Sequence, residues 1–61
     1  MKVFNSFDEC YSHFTKLYKS NTLCFELINR QQKRKIITEK FKVMSKNKHV
    51  ETVEITFQED D

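Results

Sequence analysis

The chain of 61 residues contains no glycine, no proline and no tryptophan. The absence of glycine excludes the glycine-rich loops that hold nucleotide phosphates. Because glycine and proline are the strongest turn-forming residues, a tight turn at positive φ must use another residue. There is also no run of eighteen apolar residues, so we expect no membrane-spanning helix.

The N-terminal segment, residues 1–7, is too short and too polar to be a secretory signal. We therefore expect an intracellular protein, nuclear or cytoplasmic. In these reducing compartments the two cysteines, Cys10 and Cys24, normally remain thiols. We expect no disulfide bond between them, since the patterns below direct Cys10 to the core and Cys24 to the opposite face of a sheet.

The composition is that of a small globular domain. Hydrophobic residues make up 38% of the chain, charged residues 33%, and eight residues are Phe or Tyr. A chain of this length buries only roughly 60% of its unfolded surface, so its stability is marginal. We expect residues 1–61 to form a single domain, with residues 57–61 as a frayed acidic tail.

An amphipathic helix is predicted over residues 7–19. Ser6 and Glu9 have the spacing of a capping box, in which each side chain bonds a free backbone N–H at the helix start. The residues that follow place apolar side chains at helical spacing, on one face. These apolar positions are Phe7, Cys10, Tyr11, Phe14, Leu17 and Tyr18.

From residue 22 the apolar period changes to two, which predicts strands over 22–29, 37–43 and 53–57. Asn47 lies in the second connection and can adopt the left-handed conformation that glycine usually supplies. The expected fold is α+β, with one N-terminal helix packed on a three-stranded antiparallel β-meander. The strand residues expected in the core with the helix are Leu23, Phe25, Leu27, Ile37, Phe41, Val43, Val53, Ile55 and Phe57.

Charge is distributed very unevenly. Residues 30–48 carry eight bases and one acid, a net +7, whereas residues 49–61 carry a net −5. A basic hairpin surface of this kind favours contact with nucleic-acid phosphates. The alternative is a solvated face, on which edge lysines prevent sheets from pairing. The candidate phosphate-contacting residues are Arg30, Lys33, Arg34, Lys35, Lys40, Lys42, Lys46 and Lys48.

A second hypothesis is a protein-interaction or homodimerisation module. Ile28, Ile36 and Met44 fall on the sheet face that points away from the helix, where they form a candidate apolar patch. A protein partner or a second copy could use this face or an edge strand. Both hypotheses remain open from the sequence.

No catalytic or metal-binding pattern is evident. Cys10, His13, Cys24 and His49 form a Cys₂His₂ set, but only the first two have the close spacing of a zinc-binding pair. A Cys10–His13 nucleophilic pair lacks a third group to orient it. We therefore expect no enzyme activity, no cofactor, no metal and no small-molecule substrate.

Aromatic residues in the first half of the chain follow a recognisable spacing. The pattern is Phe4-x-Ser6-Phe7-x-x-Cys10-Tyr11-x-x-Phe14-x-x-x-Tyr18, followed by Cys24-Phe25-Glu26-Leu27. It resembles the start of the WRKY/GCM-like DNA-binding domain of SWIM-type zinc-finger, far-red-impaired-response and Mutator-transposase proteins. The resemblance covers roughly residues 3–57 and implies a nuclear, transposase-derived DNA-binding domain. Residues 58–61 stand where that family's zinc ligands begin, so it assigns no zinc ligand here.

Overall fold

The computed structural model describes residues 2–59, which form one helix and one four-stranded sheet. The elements are β1 (Lys2–Phe4), α1 (Phe7–Thr15), a 3₁₀ turn (Ser20–Thr22), β2 (Leu23–Lys33), β3 (Ile36–Ser45) and β4 (Lys48–Gln58). The strand order in the sheet is β1-β4-β3-β2. Within residues 2–59 no helix is long and apolar enough to cross a membrane.

The expected three-stranded antiparallel meander is wrong, because the sheet is mixed and has a fourth strand. β1 pairs in parallel with β4, so that Val3 lies opposite Glu54 and Phe4 opposite Ile55. The other two pairings are antiparallel. β1 and β2 are therefore parallel strands at opposite edges of the sheet, and α1 connects them across one face.

The helix begins where the sequence predicts and ends earlier. The Ser6 side chain caps α1 by accepting a hydrogen bond from the Glu9 N–H at 3.2 Å. The predicted end at residue 19 is wrong. The N–H groups of Leu17 and Tyr18 both donate to the Phe14 carbonyl, at 3.1 and 2.9 Å, and close the last turn. Tyr18 then packs against the core outside the helix.

The strands are longer than predicted. The predicted end of the first of these strands at residue 29 is wrong, since β2 continues to Lys33 and a hairpin turn of two residues, Arg34 and Lys35, follows it. Polar side chains on an exposed strand produced the pattern of a loop. Asn47 adopts the left-handed conformation, as predicted, with φ 63°. Lys46 also has a positive φ, 52°. Two consecutive central residues with positive φ, here Lys46 and Asn47, define a type I′ hairpin turn.

Two β-bulges shift the alternation of side chains between the faces. In β2 the register against β3 shifts by one residue between Leu27 and Asn29, which leaves Ile28 as the extra residue. In β4 the register against β3 shifts by one residue at Val50, which is the extra residue of the second bulge. The second bulge turns Val50 toward the helix, and its side chain packs against the core.

The core lies between α1 and the centre of the sheet. Its buried cluster consists of Cys10, Phe14, Val43, Val53 and Ile55, all of which the sequence predicts. Ile37 is also buried, as predicted. Five predicted core positions are instead exposed, namely Leu17 (64%), Leu27 (54%), Phe7, Tyr11 and Phe57. The side chains that pack on the cluster without having been predicted are those of Phe4 and Val50.

The expected tail at residues 57–61 begins inside a strand. Phe57 and Gln58 belong to β4. The backbone N–H of Glu59 donates a hydrogen bond to the Lys35 carbonyl at 2.7 Å. The Glu59 carboxylate accepts a hydrogen bond from the Gln32 side-chain amide at 2.6 Å. The remaining residues of the expected tail, 60 and 61, lie outside the described residues.

Replacing Phe14 with Ala should lower the free energy of unfolding by about 3–5 kcal/mol, because it empties a buried ring site. This loss is comparable with the whole stability of so small a domain. Leu17→Ala is the matched control and should change stability by less than about 0.5 kcal/mol. Urea denaturation measures both, and equal effects of the two substitutions would contradict the core described above.

Lys46→Gly should stabilise the protein by about 0.5–1 kcal/mol, because it relieves a left-handed residue that carries a Cβ. Lys48→Gly removes the same charge from a strand and should destabilise by a similar amount. Thermal unfolding of the two variants tests the turn. A loss of stability in Lys46→Gly would show that residue 46 does not have positive φ.

Candidate nucleic-acid interface

The sheet has two chemically different faces. Ring contacts join α1 to the sheet, with Phe7 and Phe14 packed against Phe25 and Phe7 also against Phe41. Within residues 2–59 no Phe or Tyr side chain lies on the other face, which we call the open face. By strand register it consists of Val3; Cys24, Glu26, Asn29, Gln31 and Lys33; Ile36, Thr38, Lys40, Lys42 and Met44; and His49, Thr52, Glu54, Thr56 and Gln58.

The structure places basic residues in both hairpin turns and between them. Arg34 and Lys35 form the turn at one end of β3, next to Lys33. Lys46 lies in the turn at the other end, and Lys48 begins β4. Since β3 has ten residues, the two turns are about 30 Å apart. Two further lysines of the open face, Lys40 and Lys42, lie between the turns.

Arg30 is separated from the other candidate residues. The bulge at Ile28 reverses the alternation in β2 and places Arg30 opposite Glu39, on the helix side of the sheet. Its guanidinium Nε lies 3.7 Å from a carboxylate oxygen of Glu39. Arg30 therefore does not contribute to the open face.

Acidic side chains accompany the central lysines. Lys40 lies opposite Glu54 and Lys42 opposite Thr52. On the other side Lys42 lies opposite Glu26. Because opposite charges alternate in the middle of the open face, the net positive charge is concentrated at the two ends of β3.

A surface depression of about 440 Å³ lies beside the β2–β3 turn. Lys33 and Arg34 supply positive charge at its edge, and Gln31 and Thr38 add an amide and a hydroxyl. These are the groups that bind phosphate oxygens in protein–nucleic acid contacts. Gln31 and Thr38 were not among the predicted residues. A period of two places Gln31 on the same face of β2 as Lys33, whereas Thr38 lies beside them only because it pairs with Gln31 across the strands.

A second depression has a different chemistry. It lies between β1 and α1, has a volume of about 490 Å³, and includes the carboxylates of Asp8 and Glu9. Its lining also includes Lys16 and His13, and His13 Nε2 lies 3.2 Å from Lys2 Nζ. The two carboxylates make this depression unfavourable for phosphate.

The apolar residues proposed for protein interaction do not form one patch. Ile36 and Met44 are eight residues apart in β3, a separation of roughly 26 Å. Thr38, Lys40 and Lys42 lie between them on the same face. Ile28 is 53% exposed, in the bulge of the edge strand.

The four candidate zinc ligands do not converge. Cys10 is buried on the sheet-facing side of α1, and the His13 ring packs against those of Phe4 and Phe14. Cys24 and His49 are on the open face. Within residues 2–59 no three side chains drawn from His, Cys, Asp and Glu are grouped to hold a metal ion. Both thiols are free, as predicted.

No protein-family model, no curated protein and no solved structure matches this chain. The function is therefore inferred from the residues and their geometry.

The two thiols should differ sharply in reactivity. Burial, with a smaller contribution from the Glu51 charge, raises the pKa of the Cys10 thiol to about 11, from 9.0. A thiol reagent should modify exposed Cys24 in the native protein and Cys10 only after unfolding. Mass spectrometry of the native protein with two modified thiols would contradict this.

The same shift predicts a pH dependence of stability. Between pH 9.0 and about 11 the unfolded thiol loses its proton while the folded thiol keeps it, so stability falls as the pH rises. The slope attributable to this group is at most about 1.4 kcal/mol per pH unit. Cys10→Ala should remove this component of the slope and Cys24→Ala should keep it.

Proposed function

We propose that this chain is a nucleic-acid-binding module that contacts phosphates through the open face and the two turns beside it. The observation that carries the proposal is the arrangement of bases along β3. Two basic turns are about 30 Å apart. Lys40 and Lys42 lie between them, on a face where the described residues place no bulky aromatic side chain to hinder a nucleic-acid backbone.

The proposed contact is electrostatic. Lysine and arginine at the turns replace the cations condensed on a nucleic acid, and the release of those cations favours binding. Glu26 and Glu54 repel phosphate from the centre of the face, so the two ends of β3 make the strongest contacts. The depression lined by Lys33, Arg34, Gln31 and Thr38 is the proposed anchor for one phosphate.

DNA is the nucleic acid we propose, in a domain related to transposase-derived nuclear proteins. The support for this choice is the aromatic spacing of residues 4–27, which resembles the DNA-binding domain of SWIM-type and Mutator-transposase proteins. A protein partner is the second candidate. It is favoured by the length of the edge strand β2, eleven residues. The bulge at Ile28 and the charges of Glu26 and Arg30 oppose strand addition at this edge.

Changing Lys33, Arg34 and Lys35 together to Gln should weaken binding to DNA of any sequence. The slope of log affinity against log salt should fall in magnitude by roughly 0.9 for each phosphate that the variant no longer neutralises. The measurement is fluorescence anisotropy of a labelled duplex at several salt concentrations.

The matched control changes Lys2, Lys16 and Lys19 to Gln, which removes the same charge outside residues 30–48. It should leave the salt slope nearly unchanged. Equal reductions of affinity in the two triple variants would mean that net charge alone, and not the β2–β3 turn, governs binding. Failure of the unmodified chain to bind DNA at low salt would overturn the proposal and favour a protein partner.

A further inference from the structure

The helix α1 is too short to cover its whole side of the sheet. Its nine residues rise about 14 Å, whereas the ten residues of β3 extend over about 33 Å. The ring contacts of Phe7 with Phe25 and Phe41 place the start of the helix over the middle of the strands. The chain then leads to Leu23, which pairs with Ser45 at the end of β3. The half of the sheet toward the β2–β3 turn therefore extends beyond the helix.

The helix-side positions beyond the start of α1 form a surface that we call the uncovered half. Leu27 is 54% exposed and Phe57 36%, although both lie on the side of the sheet that holds the core. The exposed Phe7 ring packs on Phe41, and the exposed Tyr11 ring stacks on Phe7, so both extend the apolar area. By register the uncovered half has three rows: Leu27 with Phe41, Arg30 with Glu39, and Gln32 with Ile37 and Phe57.

The charged residues of the middle row are complementary to a second copy of the same surface. The bulge at Ile28 places Arg30 on this side of the sheet, next to Glu39. The Arg30 Nε lies 3.7 Å from a Glu39 carboxylate oxygen, and 50% of the Arg30 side chain is exposed, so the guanidinium can donate to a second carboxylate. Under a two-fold axis each Arg30 meets the Glu39 of the other copy, because every contact in such an interface occurs twice. One residue of each sign beside the axis therefore produces attraction between identical chains.

We propose that the uncovered half binds the uncovered half of a second copy of this chain, in a two-fold symmetric dimer. The two sheets lie about 10 Å apart, the usual distance between packed sheets. Leu27 and Phe57 supply apolar contacts, which exclude water around the exchanged Arg30–Glu39 pairs. The dimer also buries apolar area that a domain of 61 residues leaves exposed as a monomer.

The size of the uncovered half determines how tightly two copies can associate. It is three strands wide, about 15 Å, and about 20 Å long from Phe41 to the β2–β3 turn. Specific interfaces bury at least about 600 Å² from each partner. The uncovered half approaches this lower limit only with the rings of Phe7 and Tyr11 included, so we expect a dimer that dissociates on dilution.

The proposed dimer is independent of nucleic-acid binding. Its contact lies on the helix side of the sheet, so the open faces of the two copies point away from each other and remain accessible. Lys40 and Lys42, in the middle of the open face, take no part in the contact. Association measured without any nucleic acid therefore tests the dimer alone.

The test is sedimentation equilibrium of the 61-residue chain, without nucleic acid, from about 10 μM to about 1 mM. We expect a reversible monomer–dimer equilibrium within this range. Leu27→Asp should weaken association at least about tenfold, because it places a carboxylate in the apolar contact. Ile36→Asp is the matched control, since Ile36 is 53% exposed but lies on the open face, and it should leave association unchanged. A chain that is monomeric at about 1 mM, or equal weakening by the two substitutions, would refute the proposal.

Two charge variants test the exchanged ion pair. Arg30→Glu leaves two acids in the middle row and Glu39→Arg leaves two bases, so each variant alone should remain monomeric, because like charges then meet across the axis. An equimolar mixture of the two variants should form a heterodimer, because two acids face two bases. Repulsion within one chain cannot produce this association. A mixture as monomeric as its separate components would show that Arg30 and Glu39 do not meet across the interface, and would contradict the dimer.

Discussion

The burial of the Phe14 ring between α1 and the sheet is the contact on which the rest of the structure depends. The ring is 1% exposed and belongs to the same buried cluster as Val43 and Val53. Its centroid lies 6.3 Å from that of Phe4 and 6.1 Å from that of Phe25, so it joins both edges of the sheet to the helix. In a domain this small, few other contacts are available to hold the helix in place.

This contact determines the chemistry of both faces. Side chains alternate along a strand, so once Val43 faces the helix, Lys42 and Met44 must face away. The Phe and Tyr side chains of the described residues share the helix side, and lysines and threonines of β3 and β4 remain on the open face. The two bulges adjust this division locally, because one turns Val50 inward and the other moves Arg30 to the helix side.

Local signals in the sequence predicted the start of the helix and the geometry at Asn47, because capping and left-handed turns depend on a few neighbouring residues. β1 could not be predicted, since three residues are too few to show a period of two and its partner is some fifty positions away. The bulge at Ile28 does not change the pattern of polar residues in the sequence around it, so its position could not be predicted.

The same difference, between local sequence signals and features set by strand pairing, applies to the candidate site. The basic residues of the turns could be located from the sequence, because residues near a hairpin turn stay close in space. Arg30 was misplaced, since its face depends on the bulge.

The division of the sheet into a covered and an open face is the central claim, and nuclear Overhauser effects from the Phe and Tyr rings test it directly. The account predicts cross-peaks from the Phe14 ring to the methyl groups of Val43 and Val53. It also predicts none from any Phe or Tyr ring to the Met44 methyl or the Thr52 side chain. Strong cross-peaks from Phe14 to Met44 or Thr52 would show that the helix covers the opposite face, and would contradict the proposed nucleic-acid interface.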